Sequence, residues 1–426
     1  RMNVNFDGKY YLSGSIRRDG SSNFHPDNRW GQFYSVGASW IVSKEDFFQN
    51  NVMNYLKLKG SYGEVGNDNL GVSFPYQDRY SIVQTTTSVP VGQIPYNQIF
   101  KGNPDITWEK NKNLNAGLEF GLFDNRITVD AEYFKRRTDD LLFMRPLALS
   151  EGFASWPENI GDMENRGFEV TLGADVIKTN DFTFAVHGNF TKFKNEILSL
   201  PEEEITSGSY ILKPGHSMYT WNMREFAGVN QATGAAQWTV LDEDTGERTT
   251  TESFSAASVI DTGITALADI YGGFGADLKF KNVDLGVNFA YQFGGTGYDS
   301  NWMGLMGGGM GENFHSDFYN TWSYDNTNSN LPMVSVDDPA QQYSTSTLGL
   351  ISNDYISLQN VSLGYTFNPD LIRFAGISAL RAYVLADNVH VWSKRKGYDP
   401  RMSVTGVSSS NYSPIRTISF GLNVSF

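Results

Sequence analysis

The 426-residue sequence contains no cysteine. That absence excludes a disulfide framework, thiolate catalysis and any metal centre with sulfur ligands, and it suits a chain exported through an oxidising compartment. Long apolar runs are also missing. No stretch approaches the ~18 consecutive apolar residues of a membrane-spanning helix, and the mean hydropathy is slightly polar. The five histidines, His25, His187, His216, His315 and His390, never stand in a metal-binding spacing such as H-x-x-x-H. No G-x-S-x-G elbow supplies a nucleophile for His187. Positive charge is scarce: 33 Lys+Arg face 47 Asp+Glu, and the net charge of -14 has the wrong sign for a nucleic-acid-binding face. The run Asp242-Glu243-Asp244-Thr245-Gly246 lacks the further ligands of a calcium loop and reads as a solvated turn. Gly307-Gly308-Gly309 is followed by no Lys-Ser/Thr pair, so it is no phosphate cradle. No catalytic residue, metal or cofactor is expected, and the chain is not read as an enzyme.

What the sequence does have is aromatic residues and glycine: 29 Phe, 22 Tyr, 9 Trp and 42 Gly. Aromatics favour strands and membrane-water interfaces, and glycine favours turns and tight barrel surfaces. The apolar residues alternate. Ile418, Phe420, Leu422, Val424 and Phe426 interleave with Ser419, Gly421, Asn423 and Ser425, and Val283, Leu285, Val287 and Phe289 with Asp284, Gly286 and Asn288. Leu114 to Phe120, Ile127 to Ala131 and Phe182 to Val186 repeat the pattern. A period of two with one apolar face means a half-buried strand, as found in a soluble sandwich or in a barrel whose strands face lipid on one side and a lumen on the other.

Connection lengths separate those two. Strands are expected near 9–18, 31–42, 55–66, 106–122, 126–143, 162–177, 181–198, 217–229, 235–241, 271–280, 283–298, 354–367, 380–393 and 415–426. Between them, tight turns such as Lys281-Asn282, Lys178-Thr179-Asn180 and Asp124-Asn125 take turns with the long stretches 67–105, 144–161, 199–216, 242–270 and 299–353. Short turns on one rim and long loops on the other is the construction of a bacterial outer-membrane barrel. The expected class is therefore all-β, a transmembrane antiparallel β-barrel of about 14 strands. A terminal Phe426 closing an alternating strand is a further mark of such barrels. Two rim segments, 43–54 and 368–379, are expected to hold a short helix or 3₁₀ turn. Ser43 with Asp46 suggests a capping box in the first, and Pro369 suits a helix start in the second.

The long loops carry the candidate binding residues. The 299–353 stretch holds Trp302, Phe318, Tyr319, Trp322 and Tyr324 among Asn, Ser and Asp, and the 67–105 stretch holds Phe74, Tyr76, Tyr80, Tyr96 and Phe100. Flat rings among amides and carboxylates suit sugars or peptides through stacking and hydrogen bonds. Any single ring serves equally well to pack its own loop or to join the interfacial belt.

Several segments, in order, resemble the C-terminal part of the SusC/RagA family of TonB-dependent outer-membrane transporters. They are Arg18 to Phe24 (RDGSSNF), Trp30 to Ser35 (WGQFYS), Ser39 to Phe47 (SWIVSKEDF), Leu56 to Gly63 (LKLKGSYG), Asn165 to Glu169 (NRGFE), Tyr355 to Tyr365 (YISLQNVSLGY) and Lys396 to Pro400 (KGYDP). Two departures stand out: Ile356-Ser357-Leu358 where the family usually has Leu-Arg-Leu, and Arg401 where an acidic residue often follows the Gly-Tyr-Asp-Pro. The resemblance implies a 22-stranded barrel in the outer membrane of a gram-negative bacterium, filled by an N-terminal plug. It implies a SusD-like surface lipoprotein as lid, and import of oligosaccharides or peptides energised by TonB through the plug. Residues 1–426 then form the C-terminal portion of one barrel domain embedded in the lipid bilayer. Met2–Phe6 is the tail of a preceding strand, and the plug and earlier strands lie in another piece of polypeptide. The alternative reading is a non-transporting surface barrel that acts as receptor or scaffold.

Overall fold

The computed structural model describes all residues except 83–95, 243, 310, 336–341 and 408–411. Parts of the expected loops 67–105 and 299–353, Glu243 of the acidic run and Met310 beside the glycine run thus lie outside the described residues. Thirteen strands follow one another in a single sheet in chain order. They are β1 (Met2–Phe6), β2 (Tyr10–Gly20), β3 (Trp30–Ile41), β4 (Met53–Asn67), β5 (Glu109–Leu122), β6 (Ile127–Asp139) and β7 (Asp162–Lys178). There follow β8 (Phe182–Ser199), β9 (Ile270–Phe280), β10 (Val283–Phe293), β11 (Tyr355–Thr366), β12 (Ala379–Ser393) and β13 (Thr417–Ser425). Pairing is antiparallel from β1 to β6 and from β8 to β13. β1 and β13 stand at the two ends of that order. Tyr10–Gly20 has strand neighbours on both sides, Met2–Phe6 pairing with it as the expected preceding strand.

Links that are mostly short, at 7–9, 42–52, 123–126, 179–181, 281–282 and 367–378, alternate with links that are mostly long, at 21–29, 68–108, 140–161, 200–269, 294–354 and 394–416. Two expected strands, 217–229 and 235–241, are not in the main sheet. Thr220–Arg224 pairs with Val259–Thr265, and Ala236–Leu241 is the middle of a small three-stranded sheet within the 200–269 link. Their side chains explain the difference. Trp221, Met223 and Trp238 are buried in clusters belonging to that link, whereas a wall strand leaves one face to lipid. Removing two consecutive strands preserves the parity of the links. The expected strand 283–298 also stops early, at Phe293, because Gly294 and Gly295 turn the chain at positive φ.

The chain divides into two compact units. The first comprises residues 1–172, 193–207 and 212–218. On one face of its strands, apolar residues form cross-strand rows such as Leu12–Ala38–Gly60–Ala116–Tyr133. On the other face Lys57 meets Glu119 at 3.0 Å, and Lys59 meets Asp130 at 2.8 Å and Glu132 at 3.2 Å. A sheet with lipid on one side and a polar interior on the other has no conventional core, and the buried apolar clusters of this unit sit at its loops. Phe24, Phe33, Ile106, Trp108 and Leu142 form one. It explains the RDGSSNF and WGQFYS segments: Phe24 and Phe33 pack on Trp108 at 5.2 and 5.5 Å, and the Trp108 indole donates to the Arg29 carbonyl at 3.1 Å. Gly66 is required there, since a Cβ would stand 2.0 Å from the Phe33 ring.

The second unit comprises residues 173–192, 208–211 and 219–426. Its register sets Val283, Leu285 and Val287 opposite Tyr365, Leu363 and Val361, and these opposite Ala382, Val384 and Ala386. Asp284 and Asn288 point to the other face, where Asp284 holds Arg381 and Asn288 holds His187. In the short link 367–378, Pro369 opens α1 (Pro369–Ile372), capped by the Asn368 side chain, as the sequence indicates. Ser43 does not cap: Val42–Lys44 is a 3₁₀ turn preceded by Ile41, with no side-chain cap. No helix among the described residues is long and apolar enough to cross a membrane, which says nothing of strands.

Candidate functional site

The long links of the second unit build the candidate site. In the 294–354 link, residues Ser300–Met306 form a helix that we call the loop helix. Asp299 starts it: one carboxylate oxygen accepts the Trp302 N–H at 3.0 Å. The other oxygen accepts from Arg395 at 2.8 Å, and the Arg395 guanidinium lies 4.2 Å from the Trp302 ring centroid. One buried carboxylate therefore caps the helix and fastens it to the 394–416 link. Trp302 packs with Met303, Met306 and Tyr343 and donates its indole N–H to Asp317 at 2.8 Å. Burial pushes the Tyr343 hydroxyl well above its ordinary pKa, keeping it a neutral donor to the Pro332 carbonyl at 2.9 Å.

The five aromatics singled out in the sequence separate into two groups. Trp302 is 3% exposed and Trp322 6%, so both hold the loop together. The Trp322 indole donates to the Gln231 carbonyl at 3.1 Å, and its ring lies where a Cβ on Gly234 would stand, 2.2 Å away. Tyr319 and Tyr324 are 87% and 91% exposed. Each is propped edge-on by a ring of its own loop, Phe318 at 5.9 Å and Trp322 at 5.3 Å, and Phe318 leans on Phe314 at 5.0 Å. In the first unit, Tyr80 and Tyr96 make a similar exposed edge-to-face pair at 5.5 Å, on the hairpin Arg79–Ile82 with Tyr96–Phe100.

The two sequence departures meet in space. Arg401 donates to the Ser357 hydroxyl at 3.2 Å and grips Asp399 through two nitrogens, at 2.8 and 2.6 Å. Burial alone would raise the Asp399 pKa, but Arg401's hydrogen bonds and charge outweigh it and hold the carboxyl below the usual range. The preceding Tyr398 is buried and donates its hydroxyl to Asn353 at 2.5 Å. KGYDP thus ties the 394–416 link to the foot of the 294–354 link. Sequence reasoning missed the Asp299–Arg395 and Arg401–Ser357 contacts, because each joins residues far apart in the chain and no local signal pairs them.

His187 sits 3.0 Å from Asn288 and 3.4 Å from Asp277, a polar wall contact. Asp242 accepts N–H bonds from Thr245 and Asp244, chiefly the former, which lowers its pKa and makes the expected solvated turn. Among the described residues no group of three or more metal-ligating side chains is present.

Comparison with known proteins places this geometry. Residues 1–289 match the family "TonB dependent receptor-like, beta-barrel". TonB-dependent receptor P3 of Formosa agariphila is 29% identical over the whole of this chain and 45% of its own length. TonB-dependent receptor SusC of Bacteroides thetaiotaomicron is 27% identical over the whole chain and 43% of its length. The RagAB peptide transporter structure superposes with a TM-score of 0.87 at 28% identity, covering all of this chain and 47% of that one. The chain therefore spans about half the length of the curated relatives it matches. Those relatives are receptors and transporters, not enzymes. The chain belongs to the β-barrel family of TonB-dependent receptors, similar to SusC and RagA, and its strands are an outer-membrane wall.

Proposed function

We propose that residues 1–426 are the C-terminal portion of one barrel domain in an active importer of oligosaccharides or peptides. The importer draws on TonB through a plug carried elsewhere in the protein, and a SusD-like surface lipoprotein seats on the long links. The observation that carries this reading is the pair of exposed, ring-backed tyrosines, Tyr319 and Tyr324, on a link braced by Trp302, Trp322 and the Asp299–Arg395 pair. Presenting flat rings from a braced loop lowers the entropy lost on capture, and such rings anchor interfaces at about 2 kcal/mol or more each when covered. A peptide cargo is favoured over a sugar by the likeness to the RagAB peptide transporter.

The test uses the full-length receptor in cells, with fluorescent peptides and oligosaccharides offered in parallel. Tyr319→Ala with Tyr324→Ala is expected to cut uptake, or capture of the lipoprotein, at least tenfold with the barrel fully assembled. These point changes are preferable to deleting 312–326, which would remove Trp322 from its seat on Gln231. Unchanged uptake and unchanged lipoprotein capture in the double variant would overturn the assignment of this loop. Uptake of neither cargo class by the unaltered receptor would overturn import.

A further inference from the structure

Among the links of the long rim, only 394–416 carries more cations than carboxylates. Lys394, Arg395, Lys396, Arg401 and Arg416 stand against the single Asp399, in a chain of net charge -14. The 294–354 link, to which it is fastened, contains no lysine or arginine, and acids outnumber bases in 68–108, 140–161 and 200–269. Two of the five cations are spent on carboxylates. Asp299 holds Arg395 at 2.8 Å, and Asp399 holds Arg401 at 2.6 Å. Lys396 and Arg416 are exposed, and among the described residues neither meets a carboxylate. Ser408 to Asn411, outside the described residues, contribute no charge. Were the link basic only to fasten itself to acidic loops, its cations would all end on carboxylates, as Arg395 and Arg401 do.

Lys396 and Arg416 line one cavity of about 390 Å³, between the end of β12 and the two ends of the link. Arg395, Asp399, Arg401 and Ser413 line it as well. Its base is fixed. From it Arg401 reaches the Ser357 hydroxyl at 3.2 Å, and Ser357 stands opposite Ala290, on the face that Asn288 shares and away from lipid. The buried Tyr398 ties the same stretch to Asn353 at 2.5 Å. Tied residues thus form the base, and the two unpaired cations keep their N–H donors unspent. The volume lies in the range of small-ligand sites, roughly 300–1,000 Å³, and suits a side chain or chain terminus better than a protein surface. Acidic links around a single basic one also steer an anion to this place, because like charge repels it elsewhere.

We infer that this cavity takes a carboxylate of an acidic peptide cargo, with Lys396 and Arg416 as the cations that meet it. The inference rests on the import of peptides proposed above and adds to that reading a preference of charge.

The experiment measures binding to the purified full-length receptor of three fluorescent peptides of equal length. They are identical except for Glu, Gln or Lys at the same alternate positions. The Glu peptide should bind about tenfold or more tighter than the Gln peptide at about 0.1 M salt, with the gap narrowing at about 0.5 M. Lys396→Gln with Arg416→Gln should remove that gap and leave the Gln peptide's affinity unchanged, while Lys396→Arg with Arg416→Lys should keep it. Equal binding of the Glu and Gln peptides to the unaltered receptor overturns the inference. So does a double Gln variant that keeps the preference, and loss of lipoprotein capture in that variant would then assign the two cations to the partner. Binding of none of the three peptides overturns instead the peptide reading on which the inference rests. Should the double variant fail to assemble, Lys396→Gln alone, expected to cost the Glu peptide about threefold, decides the matter.

Discussion

Arginine at position 287 tests the register of the wall directly. Val287 is in the row Ala276–Val287–Val361–Ala386–Ile418, which crosses five neighbouring strands and contains no polar side chain. It stands about four residues from one end of β10 and six from the other, so at ~3.3 Å per residue the nearer strand end is roughly 13 Å away. A guanidinium there meets lipid in the middle of the band, at a cost of about 2–4 kcal/mol, or roughly thirtyfold or more in the folded ratio. The adjacent Asn288 points to the opposite face, between His187 and Asn360, with the carboxylates of Asp277 and Asp387 near those partners. Arginine at 288 gains acidic neighbours and water, and should change stability by no more than about 0.5–1 kcal/mol. Both variants of the full-length receptor would be refolded into phospholipid vesicles across a urea series and scored by heat-modifiable gel mobility. The Val287→Arg midpoint should fall well below that of Asn288→Arg. Equal midpoints would refute the face assignment of this strand.

Three further outcomes follow from single contacts. Gly66→Ala drives a methyl into the Phe33 and Trp108 rings, at 2.0 and 2.7 Å. It should cost about 1–3 kcal/mol, seen as faster amide exchange in the 21–29 link, and unchanged exchange there would contradict the packing. Arg395→Met leaves Asp299 without its ion pair and Trp302 without its cation, and should open residues 299–306 by about 2 kcal/mol in hydrogen exchange. Protection equal to the parent would show the clasp to be idle. Asp399, with its folded pKa depressed, contributes stability that is complete above its unfolded pKa of ~3.9 and is lost as pH falls toward the lower folded value. Limited proteolysis of the 394–416 link should therefore be the same at pH 7 and pH 5 and rise below about pH 4, with the rise absent in Asp399→Asn. Loss of protection already at pH 5 would contradict the sign.

The alternation of Val283 to Phe289 and of Leu114 to Phe120, with the parity of the links, was enough to read an outer-membrane wall, because a membrane forces each strand to satisfy lipid on one side and a polar interior on the other. The motifs carried the family. Local chemistry also served at Pro369 and Asp242, whose cap and turn depend only on residues two or three positions away. What the sequence misassigned was 217–229 and 235–241, which alternate as wall strands do. Only the tertiary structure buries Trp221 and Trp238 on the loop side and removes both strands from the wall. It alone separated Trp302 and Trp322, turned inward, from Tyr319 and Tyr324, turned outward, since composition cannot tell a ring that braces a loop from one the loop displays. The same holds for Asp299 with Arg395 and Ser357 with Arg401. Each joins residues brought together by strand register or loop packing, and register is a property of the assembled sheet.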